Sequence, residues 1–321
     1  MSRLRIAALG CADIARRRML PAMAASPDVE LVAVASRTLA RAQQVAAQYG
    51  CHAVAGYQAL LADADVQAVY VPLPAALHAD WVEAALRAGK HVLAEKPLTT
   101  AYERTGELLG LARRNGLALM ENVMFVHHPQ HSEVQRLIAG GAIGEPRSMR
   151  AEFTVPRRPT DDIRHRPELG GGALWDTGVY PARAALHFLG PDLQVVAAVL
   201  ASGKGDQVDT AGAALLRTAA GVTIQLSFGL DHAYRSSYEI CGSTGRIVVD
   251  QAFTPPAGRR PVLRLERLAA TEEIILPAAD QVAATLAAFA LATRAGSPAT
   301  DISLRQAALL EGIRRAADSP R

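Results

Sequence analysis

Lysine is nearly absent from this chain. Of its 34 basic residues only Lys90, Lys96 and Lys204 are lysine. Arginine serves wherever a generic positive charge is wanted, so each lysine marks a place where a compact ammonium suits better than a planar fork. Cysteine is scarce as well: Cys11, Cys51 and Cys241 lie far apart and no CxxC pair occurs. That spacing excludes a disulfide framework and a zinc ribbon and fits a reducing compartment, so the cytoplasm is expected. No apolar run is long enough to span a bilayer. The opening "MSRLRIAALG" is soon interrupted by Arg16, Arg17 and Arg18, unlike a secretory signal or its twin-arginine form, and no membrane partner is expected. Internal repeats and low-complexity tracts are missing. The net charge of +3 comes from basic residues scattered along the chain, which gives no reason to expect nucleic acid as a partner.

With 321 residues, half of them hydrophobic, the chain has material for two domains with real cores. Its first part alternates short apolar runs with helical spacing. "LRIAALG" (4–10) precedes a helix from Asp13 to Ala25, and "VELVAVASR" (29–37) precedes "TLARAQQVAAQYG". "AVYVPLP" (68–74) leads into 78–88, "HVLAEKP" (91–97) into 101–115, and "LALMEN" (117–122) closes the series. Such alternation predicts a parallel sheet covered on both faces, with ligands beyond the carboxyl ends of its strands. Later runs, "GVTIQLSFG" (221–229), "SSYEICG" (236–242), "RIVVD" (246–250) and "VLRLERL" (262–268), read as further strands. Two final helices are expected over 281–294 and 303–316, packing a core or an interface.

Chemistry is therefore sought at the strand tips. Gly10, Cys11, Ala12, Asp13 and Ile14 form a degenerate GxGxxG/A turn between strand and helix, where backbone amides can receive a pyrophosphate. After the second strand stand Ser36 and Arg37, a hydroxyl and a cation suited to a 2′-phosphate, where an acid for a ribose 2′-hydroxyl would favour NAD; NADP(H) is expected. Pro72, Leu73, Glu95, Lys96 and Asn122 occupy the remaining tips. In "AEKP" (94–97), Pro97 ends the ladder and Lys96 is one of the few lysines. Then comes "GGGALWDTGVYP" (170–181), whose glycines permit a close backbone approach or positive φ. A helix from Ala173 onward would set Asp176 and Tyr180 on one face, beside Trp175. An ammonium near a phenol, whose pKa is ordinarily about 10, favours phenolate and makes Tyr180 a proton donor to a ketone. Arg164, just before the glycines, is the cation expected to meet a nucleotide's phosphates; His165 and Arg166 read as a solvated loop. "HHPQH" (127–131) has no supporting carboxylate or cysteine cluster, so no metal is expected.

Taken together, the glycine turn, "AEKP", "ENVMFVHHPQ" (121–130) and "GGGALWDTGVY" resemble the Gfo/Idh/MocA oxidoreductase family along essentially the whole chain. The resemblance implies an α/β protein: an N-terminal Rossmann dinucleotide-binding domain, residues 1–121, and a C-terminal α/β domain, residues 122–321, with an open, mostly antiparallel sheet. That second domain would bind substrate and mediate oligomerisation as a dimer or tetramer. Many members carry His where this chain has Tyr180 and Asp where it has Arg183. Tyrosine with the E-K-P lysine is instead the arrangement of glucose-fructose oxidoreductase, dihydrodiol dehydrogenases and nucleotide-sugar ketoreductases. Within that group the motifs are most similar to sugar 3-ketoreductases of dideoxysugar biosynthesis, which reduce the C-3 ketone of a dTDP-3,4-diketo-2,6-dideoxyhexose. The resemblance implies NADPH as cofactor and Tyr180, Lys96 and Asp176 as catalytic residues. It places Lys96, Arg164, Asp176 and Tyr180 at the substrate, His78 near the nicotinamide, and Asn122, Arg164 and Trp175 among the cofactor-binding residues. A dehydrogenase of a free sugar or trans-dihydrodiol is the alternative, and a non-catalytic dinucleotide sensor is the second.

Overall fold

The computed structural model describes residues 2–296 and 301–319. Its strands fall into two sheets. The first consists of β1 (Leu4–Leu9), β2 (Val29–Ser36), β3 (His52–Ala55), β4 (Ala68–Val71), β5 (His91–Glu95) and β6 (Leu119–Asn122), all parallel, in the order β3-β2-β1-β4-β5-β6. This is the doubly wound dinucleotide-binding arrangement, whose order reverses between β1 and β4. Both faces are covered, so β4 is buried at every position and β1 is buried from Ile6 to Leu9. The four-residue β3 has no β-branched run to announce it, being His-Ala-Val-Ala, and sequence periodicity passes over it.

The first helix departs from regular α geometry. Ala15–Met19 winds as a π-type turn before the α-helix Leu20–Ala25. Pro21 has no N–H and its ring crowds the carbonyl four residues back, so a wider turn just before it relieves a clash that α geometry would force.

Lys90 shows why one of the rare lysines is a lysine. It is 8% exposed, and its Nζ donates to the carbonyls of Asp63 and Val66, each at 2.7 Å. Two main-chain acceptors converging on one point suit an ammonium better than a guanidinium fork.

The second sheet contains β7 (Pro146–Thr154), β8 (Leu193–Ala201), β9 (Ala211–Thr218), β10 (Thr223–Gly229), β11 (Arg235–Gly242), β12 (Gly245–Asp250), β13 (Val262–Arg267) and β14 (Ala270–Ile275). Their order is β14-β13-β12-β11-β7-β10-β9-β8, antiparallel throughout except for β7 with β10. Buried and exposed positions alternate along β9 and β10, as in a sheet with one packed face. The helix Val179–Leu189 covers β7 and β10. The other face carries Val196, Val199 and Leu215 in exposed positions.

Contacts divide the chain into one unit of Met1–Asn122 with Val282–Leu304 and another of Val123–Gln281 with Arg305–Arg321. The sequence reading had kept everything after residue 121 together. The stretch 282–304 instead groups with the first unit, where Leu304 packs on its core, Arg113 pairs with Asp301 and Arg294 with Asp28.

The histidines of "HHPQH" belong to the interior of the second unit. His131 is fully buried, with Nδ1 2.8 Å from the Tyr238 hydroxyl and Nε2 3.0 Å from the Ala252 carbonyl. Burial, with Arg183 and His127 nearby, pushes His187 down to about 4.

Two outcomes follow. Lys90→Met, which takes away the donor that the Asp63 and Val66 carbonyls share, should cost about 2 kcal/mol in denaturant unfolding; an unchanged midpoint would refute this account of Lys90. For His187 the sign is that of a group kept neutral by folding. The unfolded chain binds its proton near about 6.5 and the folded one resists until about 4, so stability falls as pH drops through that interval. His187→Gln should flatten the dependence of the unfolding midpoint on pH between those values, measured by thermal denaturation.

Candidate active site

The first unit contributes the tips of β1, β2, β4, β5 and β6. Gly10, which ends β1, has φ 136°, and a Cβ there would stand 3.1 Å from Leu73 Cδ2 and 3.7 Å from Pro72 Cγ. Both the backbone angle and the closeness of the Pro72–Leu73 turn require glycine. The helix that follows begins with amides that no earlier turn can satisfy, which is what an anion needs. Asp13 holds its carboxylate toward Arg16 and Arg17. Cys11 Sγ lies 3.8 Å from the Ala35 carbonyl, and burial pushes its thiol up against the opposing pull of Arg41 and Arg16.

At the end of β2, Ser36 is buried and Arg37 exposed. Arg41, one helical turn further on, joins them: the field of Arg37 acts on Tyr57 and that of Arg41 on Cys11. Among the described residues neither arginine has a carboxylate partner. The sequence reading missed Arg41, whose signal was its spacing of four from Arg37. A glycine that tolerates no side chain, a helix start, a hydroxyl and two uncommitted cations suit a dinucleotide that carries a 2′-phosphate.

Glu95 is a buried carboxylate whose Oε1 accepts from the Tyr70 hydroxyl and from Asn122 Nδ2, each at 2.7 Å. It therefore ties the tips of β4, β5 and β6 together, while Asn122 Oδ1 is buried without a partner among the described residues and remains open as an acceptor. Lys96 is the one partly exposed residue between buried Glu95 and buried Pro97. The turn after it is fixed by Leu98 N, which donates to Glu121 Oε1 at 2.9 Å. His78 differs from expectation: it is 1% exposed and both its ring nitrogens face main-chain carbonyls, so it offers no ring nitrogen to a nicotinamide.

In the second unit the three glycines have three separate tasks, all internal. Gly170 has φ 76° and ψ 34° at the end of a short 3₁₀ turn. A Cβ on Gly171 would stand 2.5 Å from the Arg164 carbonyl oxygen, and one on Gly172 would collide with the Asp209 carboxylate. The backbone approach that the glycines permit is thus to residues 164–166 and to Asp209. Asp209 in turn caps the following helix, with Leu174 N donating to its Oδ2 at 2.7 Å and Ala173 N to its carbonyl at 2.8 Å. Burial pushes the Asp209 carboxyl up, and those amides oppose it.

The expected single helix across Asp176 and Tyr180 is two. Ala173–Asp176 ends in a wide turn in which Gly178 N donates to the Ala173 carbonyl, and Val179–Leu189 begins anew. A Cβ on Gly178 would stand 2.7 Å from the Leu174 carbonyl oxygen, so glycine permits that wide turn.

Arg164 lies between two carboxylates, Nε donating to Asp176 Oδ2 at 2.7 Å and Nη1 to Asp162 Oδ1 at 3.0 Å. Asp176 foremost, with Asp162, holds the guanidinium charged well beyond its ordinary range. One cation shared by two carboxylates leaves the trio negative, which suits holding Asp176 in place and opposes the expected contact with phosphate. His165 corrects the reading of a solvated loop: its side chain is 7% exposed beside Asp206, whereas Arg166 does face solvent and pairs with Glu168. Trp175 is partly buried.

Tyr180 is partly exposed, and its ring sits among Phe153, Phe253 and Phe125, with centroids at 4.6, 5.7 and 6.2 Å. Three of the six phenylalanines in the chain thus wall one tyrosine. They come from places so distant in sequence that no local pattern marks them. Arg183 is buried and donates from Nε to Gln306 Oε1 at 2.6 Å. Among the described residues no group of three or more His, Cys, Asp or Glu is arranged to hold a metal ion.

A Rossmann sheet with this glycine turn and a separate antiparallel-sheet unit carrying a tyrosine define a dinucleotide-dependent oxidoreductase. The chain belongs to the Gfo/Idh/MocA family: residues 4–123 match the oxidoreductase family's NAD-binding Rossmann fold and residues 131–248 its C-terminal domain. It is 53% identical over 326 residues to the dTDP-3,4-didehydro-2,6-dideoxy-alpha-D-glucose 3-reductase of Streptomyces violaceoruber, covering 98% of this chain and 95% of that one. It is 51% identical over 317 residues to the protein of the same name from Actinomadura kijaniata, covering 98% and 96%. The crystal structure of a 3-ketoreductase from A. kijaniata in complex with NADP and TDP-benzene superposes with a TM-score of 0.95 at 51% identity, over 98% of each chain.

Arg37→Asp should weaken NADPH binding at least about tenfold, some 1.4 kcal/mol, and leave NADH nearly unchanged, with Arg41→Ala acting in the same direction. Titration of both cofactors by fluorescence checks this; equal losses for the two would remove the 2′-phosphate argument.

Proposed function

We propose that this chain is an NADPH-dependent sugar 3-ketoreductase that reduces the C-3 ketone of a dTDP-3,4-diketo-2,6-dideoxyhexose on the way to a deoxysugar. The observation that carries this is identity of about half over nearly the full length to proteins named for that reaction, together with a lysine at the tip of β5 and a tyrosine in a phenylalanine box. The bound cofactor supplies the hydride. Tyr180 gives its proton to the carbonyl oxygen as that oxygen gains charge. Its ring, pressed among phenylalanines, has little freedom to turn away. Lys96 donates a hydrogen bond to the same oxygen and favours the phenolate left behind. Asp176, held by Arg164, accepts from a sugar hydroxyl and so orients the ring.

Around the cofactor the reading assigns the Gly10–Ile14 turn to the pyrophosphate and Ser36, Arg37 and Arg41 to the 2′-phosphate. Pro72, Leu73, Asn122 and Trp175 go to the nicotinamide side. Asn122 Oδ1, an acceptor without a partner among the described residues, suits a carboxamide N–H. The product belongs to the assembly of antibiotic sugars. The enzyme works in the cytoplasm as a homo-oligomer, a dimer or homotetramer, joined through the second sheet's open face with its exposed Val196, Val199 and Leu215.

NADPH consumption with the dTDP-linked diketone, generated in place by a 2,3-dehydratase, tests the assignment, with free sugars and trans-dihydrodiols plus NADP⁺ run alongside. Rapid turnover is expected only with the dTDP-linked diketone; turnover of a free sugar or diol alone would move the substrate. Lys96→Met should still bind NADPH and lose about a hundredfold or more in kcat, and wild-type turnover by that variant would sink the mechanism.

A further inference from the structure

His78 lies in the first turns of the helix Ala75–Arg87, and both of its nitrogens meet main chain. Nδ1 is 2.7 Å from the carbonyl oxygen of Pro97, and Nε2 is 2.7 Å from that of Leu73. Pro97 follows Lys96 directly. Leu73 belongs to the turn after β4, the same turn whose side chains fill the space where Gly10 would carry a Cβ. One buried imidazole therefore joins the turn bearing Lys96 to the turn that closes on the glycine of β1.

Other groups also hold the Lys96 turn and the residues that flank it. Leu98 N is held by Glu121, and Thr99 Oγ1 meets Thr105 Oγ1 at 2.8 Å. Glu95, just before Lys96, is fixed by Tyr70 and Asn122. Pro97 has no N–H to donate, so its carbonyl is the one main-chain hydrogen-bonding group it has. His78 takes that carbonyl.

We propose that His78 is the positioning residue of the catalytic lysine, fastening the Lys96–Pro97 turn to the Leu73 turn so that the ammonium keeps a fixed place relative to the cofactor turn. It acts through the backbone and touches neither cofactor nor substrate. A ring with one proton can donate to only one of the two carbonyls, whereas a ring with two donates to both. Burial opposes the second proton. The two carbonyls and the carboxylates Glu95 and Glu121, which act on the ring from the ends of β5 and β6, favour it, but burial outweighs them and holds the ring below the ordinary histidine range. Lys96 is the cation on the fastened turn itself. The clamp is tightest when the ring is doubly protonated and slackens as that proton leaves.

The assignment of Lys96 to catalysis rests on the function proposed above, so the test includes readouts that need no ketosugar. His78→Gln and His78→Asn each keep a side-chain donor but cannot span both carbonyls. Both should bind NADPH within about threefold of wild type, lose about tenfold or more in kcat with little change in KM, and move the basic limb of the kcat profile to higher pH. The last follows because a displaced ammonium no longer favours the phenolate. In the absence of substrate, acylation of Lys96 followed by mass spectrometry should proceed at a changed rate in both variants. Variants that merely lose thermal stability, with kcat per folded enzyme, pH profile and Lys96 reactivity unchanged, would overturn the proposal. Should neither variant fold, the wild-type protein decides: Lys96 reactivity should change across the pH at which NMR shows His78 titrating, and indifference to that titration would refute it. A protein inert toward every ketosugar whose Lys96 reactivity still depends on His78 would count against the proposed reaction and leave the clamp standing.

Discussion

A carboxylate largely withdrawn from water has to be answered from within the protein, and Glu95 is answered from both neighbouring strands. Leaving it unpaired would cost several kcal/mol. A hydroxyl from β4 and an amide from β6, each at 2.7 Å, meet that demand and fix the three strand tips in relation to one another. The Lys96 turn springs from this junction. Glu121 and His78 then hold the next residues. What the first unit can offer a ligand hangs on polar groups that are satisfied one by one below the surface.

The second unit solves a similar problem with a different device. There a helix start is buried, and its amides are met by Asp209 while glycine lets the loop pass close enough for contact. Arg164 is consumed in the same economy of charge, shared between Asp162 and Asp176. The result is a carboxylate, Asp176, fixed by a cation that has no surplus charge to give. There too the ring of Tyr180 is packed among three phenylalanines, which restrict how it can turn.

Much of this was legible before any coordinates. Strand and helix alternation gave the parallel sheet, since buried parallel strands read as unbroken apolar runs. The tips of those strands named Gly10, Ser36, Arg37 and Lys96, because ligands gather where such a sheet ends. Lysine scarcity marked Lys96 for chemistry, and it marks Lys90 equally, which the structure explains by two converging carbonyls instead. Scarcity of lysine therefore does not by itself separate an ammonium used for chemistry from a structural one. Spacing likewise put Asp176 and Tyr180 on one helix, while Gly178 admits a wide turn that breaks it.

By itself, the sequence determined the strand and helix alternation of the first unit, the cofactor-binding class and the family, because periodicity and short motifs are local and survive without knowledge of the fold. Only the tertiary structure decided that both ring nitrogens of His78 face main-chain carbonyls, and that Arg164 pairs with two acids. It also decided that the triple glycine serves Asp209 and that residues 282–304 group with the first unit. Each of those depends on partners brought together by sheet order and chain return, such as Gly172 with Asp209 or Tyr180 with Phe253. A one-dimensional pattern carries no record of which distant group will fill the space beside a side chain, and it is that group which decides what the side chain has left to give.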